Sequence, residues 1–256
     1  AMGLLRLFKK LDPAKMSGTI IAIMATNPTA FRGFARNTPL DGENLNRLFP
    51  GDAKGPHSRQ AAHTLFKTAM AVSDAMIDLH SGGDEAEVPF YAIYWNDGSE
   101  AGNQSARLAR AAATPDIWAS RDAWLGGCMM ANYTRQGKPA LIVECGGGGQ
   151  VPEAHIDNYV NTVSGVAKAM GILPGRPPKQ KKYRVVGECL LVFNKRGGYF
   201  LPAVEVGSVV KKGQIFGRIM DPHGRIIEEL KSPNGPAYVA ALVRPYLPVY
   251  SGAMVA

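Results

Sequence analysis

The chain has 256 residues, of which 46% are hydrophobic and 20% are charged, a composition typical of a folded protein with a substantial core. No apolar stretch approaches the roughly 20 residues that a membrane helix needs, so we predict no membrane span. The net charge is +8, but residues 1–171 hold 16 basic and 16 acidic side chains, so the whole excess lies in residues 172–256. No run of aromatic residues accompanies these basic side chains, which argues against nucleic-acid binding.

The first two thirds of the chain alternates predicted helices with predicted buried strands. Residues 3–11 have the apolar spacing of a helix, and residues 19–24 are nearly all apolar, as in a strand that is covered on both faces. Such alternation is typical of an α/β fold with a largely parallel sheet. The other predicted elements of this part are helices at 58–73, 104–113 and 155–170 and strands at 76–79 and 139–143.

A stretch rich in Pro and Lys, residues 173–182, is the predicted linker. Short strands separated by Gly, Pro and Asn follow it, which predicts a small all-β domain. We therefore predict one domain at 1–172 and a second at 183–256. The strands predicted in the second domain are 184–194, 204–210, 214–220, 226–230 and 237–242.

Two predicted strands end in a titratable side chain followed by glycines. His80 precedes Ser-Gly-Gly, and Glu144 precedes Cys and four glycines. In parallel α/β sheets the ligand binds beyond the carboxyl ends of the strands, and glycine allows close approach of backbone or ligand. A single histidine is more often structural and a single glutamate more often solvated. Both at strand ends favour a functional site.

Residues 36–51 are an irregular polar stretch that holds two arginines and several amides. The planar guanidinium of an arginine matches a carboxylate in two parallel hydrogen bonds, so this stretch could hold an anionic substrate. The alternative is a solvated loop whose Asp and Asn side chains cap helices.

Five motifs, in the same order along the chain, resemble those of the succinylglutamate desuccinylase and aspartoacylase family, which is related to zinc carboxypeptidases. The resemblance implies a three-layer α/β sandwich like that of a zinc carboxypeptidase, with a mixed, largely parallel sheet. It also implies a small C-terminal all-β domain of barrel-sandwich type. The motifs are Asn27-Pro28, Arg36, the run Asp-Gly-Glu-Asn-Leu-Asn-Arg-Leu-Phe-Pro-Gly at 41–51, Asp78-Leu-His80-Ser and Val143-Glu144-Cys-Gly-Gly.

The resemblance implies a zinc-dependent amidohydrolase that cleaves the amide of an N-acylated amino acid or a similar small carboxylate-bearing substrate. Glu144 would take a proton from water and return it to the leaving amine, as general acid–base catalysis requires. His80 would be a zinc ligand. Asn46 and Arg47 would grip the substrate carboxylate, and Arg36 would polarise the scissile carbonyl.

The family also has a His-x-x-Glu pair ahead of the helix that corresponds to residues 3–11, and this sequence has none. We therefore expect one zinc ion with two of its ligands missing, an N-terminally truncated chain of impaired activity, and a sheet edge that is covered by homo-oligomer contacts. The histidines are His57, His63, His80, His155 and His223, followed at the third position by Gln, Phe, Gly, Asn and Ile.

Two other functions stay open. A non-catalytic carboxylate-binding protein, or pseudoenzyme of the same fold, would keep the carboxylate grip without metal. A nucleic-acid-binding protein would use the basic linker, through Lys179, Lys181 and Lys182, and its binding would depend strongly on salt. The three cysteines have no paired spacing, which favours a reducing, cytoplasmic location.

Overall fold

The computed structural model describes residues 1–180 and 182–256, so Lys181 of the predicted linker lies outside the described residues. The chain divides into two compact units, and each unit is made of three separate segments of the chain. The predicted domain limits stay predictions. Unit 1 comprises Ala1–Leu79, Tyr91–Val143 and Glu153–Glu188, and unit 2 comprises His80–Phe90, Glu144–Pro152 and Cys189–Ala256.

The larger sheet has six strands and confirms the predicted α/β class. Its order is β1-β4-β2-β3-β5, and β11 pairs with β2. The β2–β3 and β3–β5 pairs are parallel, whereas β11 is antiparallel to β2, so the sheet is mixed. The strands are β1 (Met76–His80), β2 (Ala86–Trp95), β3 (Asp116–Ser120), β4 (Ala140–Gly147), β5 (Arg184–Val186) and β11 (Leu242–Val243).

Helices pack closely in unit 1 wherever small residues let backbones approach. A Cβ atom at Gly3 would lie 2.7 Å from Cβ of Tyr159, and one at Gly165 would lie 2.2 Å from the carbonyl oxygen of Ala111. Leu7 is buried against α6. The helices are α1 (Met2–Phe8), α2 (Pro28–Arg32), α3 (His57–Val72), α4 (Glu100–Ala111), α5 (Met129–Arg135) and α6 (Glu153–Ala169).

Unit 2 contains the small antiparallel sheets of the predicted all-β domain. Four strands pair in the order β12-β6-β8-β9, and β10 pairs with β7. Phe200 and Ile219 are fully buried in the core of this unit. The strands are β6 (Gly198–Pro202), β7 (Val209–Val210), β8 (Ile215–Met220), β9 (Ile226–Lys231), β10 (Ala237–Tyr238) and β12 (Pro248–Val249).

The prediction of a strand at residues 19–24, covered on both faces, is wrong. The segment belongs to no strand, and the exposed fractions of Ile21 and Ile23 are 60% and 48%. No backbone group of residues 19–26 makes a hydrogen bond to another described residue. A strand exists only where a neighbour takes up its N–H and C=O groups, and apolar side chains cannot replace that neighbour.

Other predicted boundaries also change. The strand predicted at 184–194 is ordered as a strand only over β5, which belongs to the larger sheet and not to the all-β domain. The helix predicted at 104–113 begins earlier, because Ser99 caps it by accepting a hydrogen bond from the N–H of Gly102 at 3.0 Å. Strands β2 and β3 were not predicted. Within the described residues, no helix is both long and apolar enough to cross a membrane.

Candidate functional site

The structure brings His80, at the end of β1, close to Glu144, which lies within the neighbouring strand β4. Nδ1 of His80 lies 3.7 Å from Oε1 of Glu144, and the exposed fractions of the two side chains are 31% and 15%. β1 and β4 are adjacent in the sheet, with His80 as the last residue of β1 and Glu144 within β4. The expectation that these two side chains meet is confirmed.

The turns that follow His80 and Glu144 pack backbone against backbone, which explains their glycines. The N–H of Gly82 donates to the carbonyl of Gly146 at 2.9 Å, and the N–H of Gly148 donates to the carbonyl of Ala86 at 2.9 Å. Gly147 has φ +145°, and a Cβ atom there would lie 2.1 Å from the carbonyl oxygen of Ala86. Glycine is therefore required at this position, because no other residue fits the contact.

Asn46 and Arg47 lie on a short 3-10 helix, Leu45–Arg47. Hydrogen bonds to other parts of the chain hold both side chains in place. Oδ1 of Asn46 accepts from the N–H of Met129 at 2.9 Å, and its Nδ2 donates to Oδ2 of Asp78 at 3.1 Å. Nη1 of Arg47 donates to the carbonyl of Asn46 at 2.7 Å and to Sγ of Cys128 at 3.2 Å. We call the residues that these bonds join the clamp network: Asn46, Arg47, Asp78, Cys128 and Met129.

The turn before α5 packs directly on the backbone of the clamp network. The N–H of Phe49 donates to the carbonyl of Gly127 at 3.0 Å. A Cβ atom at Gly127 would lie 2.1 Å from the carbonyl oxygen of Arg47. Cys128 is fully buried, and its Sγ contacts the carbonyl of Asn46 at 3.1 Å. The turn can lie this close because Gly127 has no side chain.

Arg36 lies in an exposed loop, and a buried polar network anchors the segment that follows it. The N–H of Ser58 donates to Oδ2 of Asp41 at 2.8 Å, and its hydroxyl contacts Oδ1 of Asp41 and Oγ1 of Thr38. The bond from the Ser58 N–H is the main cause that holds the pKa of Asp41 below its usual value; the Ser58 hydroxyl and the N–H of Glu43 add to it. An ionised Asp41 thus ties this loop to the start of α3.

The described residues do not by themselves make a zinc site. In residues 1–180 and 182–256 no group of three or more His, Cys, Asp or Glu side chains is placed to hold a metal ion. A catalytic zinc uses three protein ligands, and His80 is the one ligand that the resemblance predicted in this chain.

Sequence reasoning missed three residues that hold Asn46 and Arg47: Asp78, Gly127 and Cys128. Signals for two of them were present. Asp78 belongs to the same motif as His80, and the Gly-Gly pair at 126–127 is typical of a close backbone approach. Cys128 had no signal, because a lone buried cysteine is usually only a small apolar side chain.

The chain belongs to the succinylglutamate desuccinylase and aspartoacylase family. The family profile described as "Succinylglutamate desuccinylase/Aspartoacylase catalytic domain" matches residues 2–170, which is more than half of the chain. The resemblance read from the five motifs is therefore confirmed.

A curated relative agrees with this assignment. N-alpha-acetyl-L-2,4-diaminobutyric acid deacetylase of Halomonas elongata is 28% identical over 224 residues, which are 84% of this chain and 65% of the relative. The chain therefore spans less than two thirds of that relative's length.

The two solved structures show the fold. The product-bound ectoine utilization protein EutE (DoeB) of Ruegeria pomeroyi superposes with a TM-score of 0.89 at 23% identity. A succinylglutamate desuccinylase/aspartoacylase of Rhodobacter sphaeroides gives 0.85 at 25% identity. Each match covers 99% of this chain and 78% of the other.

Proposed function

We propose that this protein is an amidohydrolase that removes the acyl group from an N-acylated amino acid or a similar small carboxylate-bearing amide. The observation that carries the proposal is the approach of Nδ1 of His80 to Oε1 of Glu144 at 3.7 Å, in a chain of the succinylglutamate desuccinylase and aspartoacylase family. The curated relative, whose name is that of a deacetylase of an N-acetylated amino acid, supports the same reaction class.

In the proposed reaction Glu144 acts first as a base and then as an acid. It takes a proton from the attacking water and returns it to the nitrogen of the leaving amine, so that the amine departs neutral. Arg36 hydrogen-bonds to the scissile carbonyl and stabilises the negative charge that develops on its oxygen. Asn46 and Arg47 hold the substrate's carboxylate.

Zinc dependence is part of the proposal, and His80 supplies one ligand. A catalytic zinc has three protein ligands, and the described residues hold no group of three His, Cys, Asp or Glu side chains placed to bind one. Metal analysis of the purified protein tests this point. About one zinc per active site supports the proposal, and full activity in protein that chelation has stripped of metal contradicts it.

The reaction is tested by amine release from N-alpha-acetyl-L-2,4-diaminobutyrate, the compound in the relative's name, and from other N-acyl amino acids. Glu144→Gln should lower the rate by about 10²- to 10⁴-fold, the range for loss of a general acid–base group. Glu188→Gln, at an exposed position, is the matched control and should leave the rate unchanged. Equal rates for Glu144→Gln and the unchanged protein would contradict the assignment.

A non-catalytic carboxylate-binding protein is the second candidate, and the lack of a three-ligand group in the described residues favours it. It predicts binding of N-acyl amino acids without amine release, and no stoichiometric zinc. Binding and amine release measured on the same preparation separate the two candidates.

We also propose that the protein is a homo-oligomer that forms through residues 19–26. This segment is apolar, uncharged and free of proline, and its backbone makes no hydrogen bond to another described residue. Such a segment is a template for pairing with another strand. Because it carries no charge, two copies can pair without repulsion. A cytoplasmic location is part of the same proposal.

Light scattering tests the oligomer. The double variant Ile21→Lys and Ile23→Lys places charges on the exposed side of the segment and should give a monomer. Val151→Lys, at a position with an exposed fraction of 65%, should keep the mass of the unchanged protein. A monodisperse monomer before any substitution would contradict the proposal.

A further inference from the structure

We propose that Asp78 and Cys128 are positioning residues, which fix the atoms that Asn46 and Arg47 present to the substrate's carboxylate. The inference rests on the proposed function, because that function gives Asn46 and Arg47 their ligand. It goes further, because it assigns a role to two side chains that would not themselves touch the substrate.

Asp78 and Met129 fix the orientation of the Asn46 amide. The N–H of Met129 can only donate, and the carboxylate of Asp78 can only accept. Oδ1 of Asn46 faces the first at 2.9 Å, and Nδ2 faces the second at 3.1 Å. A flipped amide would set donor against donor and acceptor against acceptor. The group of this amide that can donate to a carboxylate is therefore Nδ2, on the side of Asp78.

Cys128 holds the guanidinium of Arg47 through a hydrogen bond from a single nitrogen, Nη1. Nη1 is used by the carbonyl of Asn46 and by Sγ of Cys128, and the ring of Trp124 lies 4.9 Å from Cζ. Within the part of the chain that the structure describes, Nε and Nη2 of Arg47 donate to no other group. These two nitrogens form one edge of the planar guanidinium, and such an edge binds both oxygens of a carboxylate side by side.

The thiol of Cys128 links the two halves of the clamp network. It is fully buried, and its sulfur both receives the N–H of Arg47 and contacts the carbonyl of Asn46 at 3.1 Å. A hydroxyl can make the same two contacts, whereas a methyl group can make neither. Cys128→Ser should therefore preserve the position of Arg47, and Cys128→Ala should release it.

The experiment measures ligand binding by calorimetry in a Glu144→Gln background, so that turnover does not enter. The two ligands are N-alpha-acetyl-L-2,4-diaminobutyrate and its analogue with a neutral carboxamide in place of the carboxylate. Cys128→Ala and Asp78→Ala should each weaken carboxylate binding by about tenfold, the size of one charge-assisted hydrogen bond. Carboxamide binding should not change.

Conservative variants and a distant control separate positioning from general damage. Cys128→Ser and Asp78→Asn should restore most of the affinity, because each keeps an acceptor in place. Cys189→Ala removes a cysteine of unit 2 and should have no effect on binding. Urea unfolding of each variant shows whether it is folded. If an alanine variant is unfolded, Cys128→Ser and Asp78→Asn still allow carboxylate affinity to be measured.

Three results would overturn the inference: unchanged carboxylate affinity in both alanine variants, equal losses for the carboxylate and the carboxamide, or no preference for the carboxylate in the background protein. Failure of the proposed function looks different. In that case the protein releases no amine with Glu144 present, while the carboxylate preference and its dependence on Cys128 and Asp78 persist.

Discussion

Two apolar segments of similar composition have opposite environments in this protein. Residues 140–143 (Ala-Leu-Ile-Val) lie in β4 and are at most 2% exposed, whereas residues 19–24 (Thr-Ile-Ile-Ala-Ile-Met) form no strand and expose Ile21 and Ile23. Their β propensity does not account for the difference. β4 has a strand on each side, β1 and β2, and residues 19–24 pair with no described strand. Burial is thus set by neighbours and not by the segment alone.

The largest effect that tests this comparison is on stability. Leu141→Ala should lower the free energy of unfolding by about 2–5 kcal/mol, because it leaves a cavity in a fully buried site. Ile21→Ala removes a comparable apolar side chain and should cost no more than about 0.5 kcal/mol at protein concentrations too low for the proposed oligomer, because Ile21 is exposed in a single copy of the chain. Urea unfolding followed by circular dichroism measures both.

An equal cost for the two variants would break the comparison. At low protein concentration it would show that residues 19–24 are buried within a single copy of the chain. Urea unfolding at several protein concentrations sharpens the result. The free energy of unfolding of the double variant Ile21→Lys and Ile23→Lys should not depend on concentration, whereas that of the unchanged protein should.

A smaller effect is expected from the backbone contact at Gly127. Gly127→Ala places a methyl group against the carbonyl of Arg47 and should cost about 1–3 kcal/mol, the usual range for overpacking. Gly187→Ala is the matched control, because a Cβ atom there meets nothing within 4 Å. The same urea unfolding measures both, and equal stability of the two variants would contradict the close packing of the clamp network.

The smallest effect is a difference in stability that disappears in acid. The pKa of Asp41 is lower in the folded protein than its usual value, chiefly because of the bond from the N–H of Ser58. Its contribution to stability is therefore full above about pH 5 and is lost as the pH falls below about 4. Asp41→Asn should be less stable than the unchanged protein at pH 7, and the difference should shrink towards pH 3.5. A difference that is constant over this range would contradict the ionised contact.

The sequence predicted the α/β class, the small all-β domain and the meeting of His80 with Glu144. These depend on local patterns: alternation of helices and strands, and titratable groups followed by glycines at strand ends. The hydrogen bonds around Asn46 could not be predicted, because Asp78 and Met129 are distant in the chain and reach it only through the fold.

The sequence by itself determined which segments can form helices and strands, through the periodicity of apolar residues. It also determined which side chains can accept or donate protons. Only the tertiary structure decided which apolar segment is buried, which nitrogen of Arg47 is held by Cys128, and that Cys128 contacts both Asn46 and Arg47. The physical reason is that hydrogen bonds and burial need a partner, and the partner is chosen by contacts between residues that are far apart in the chain.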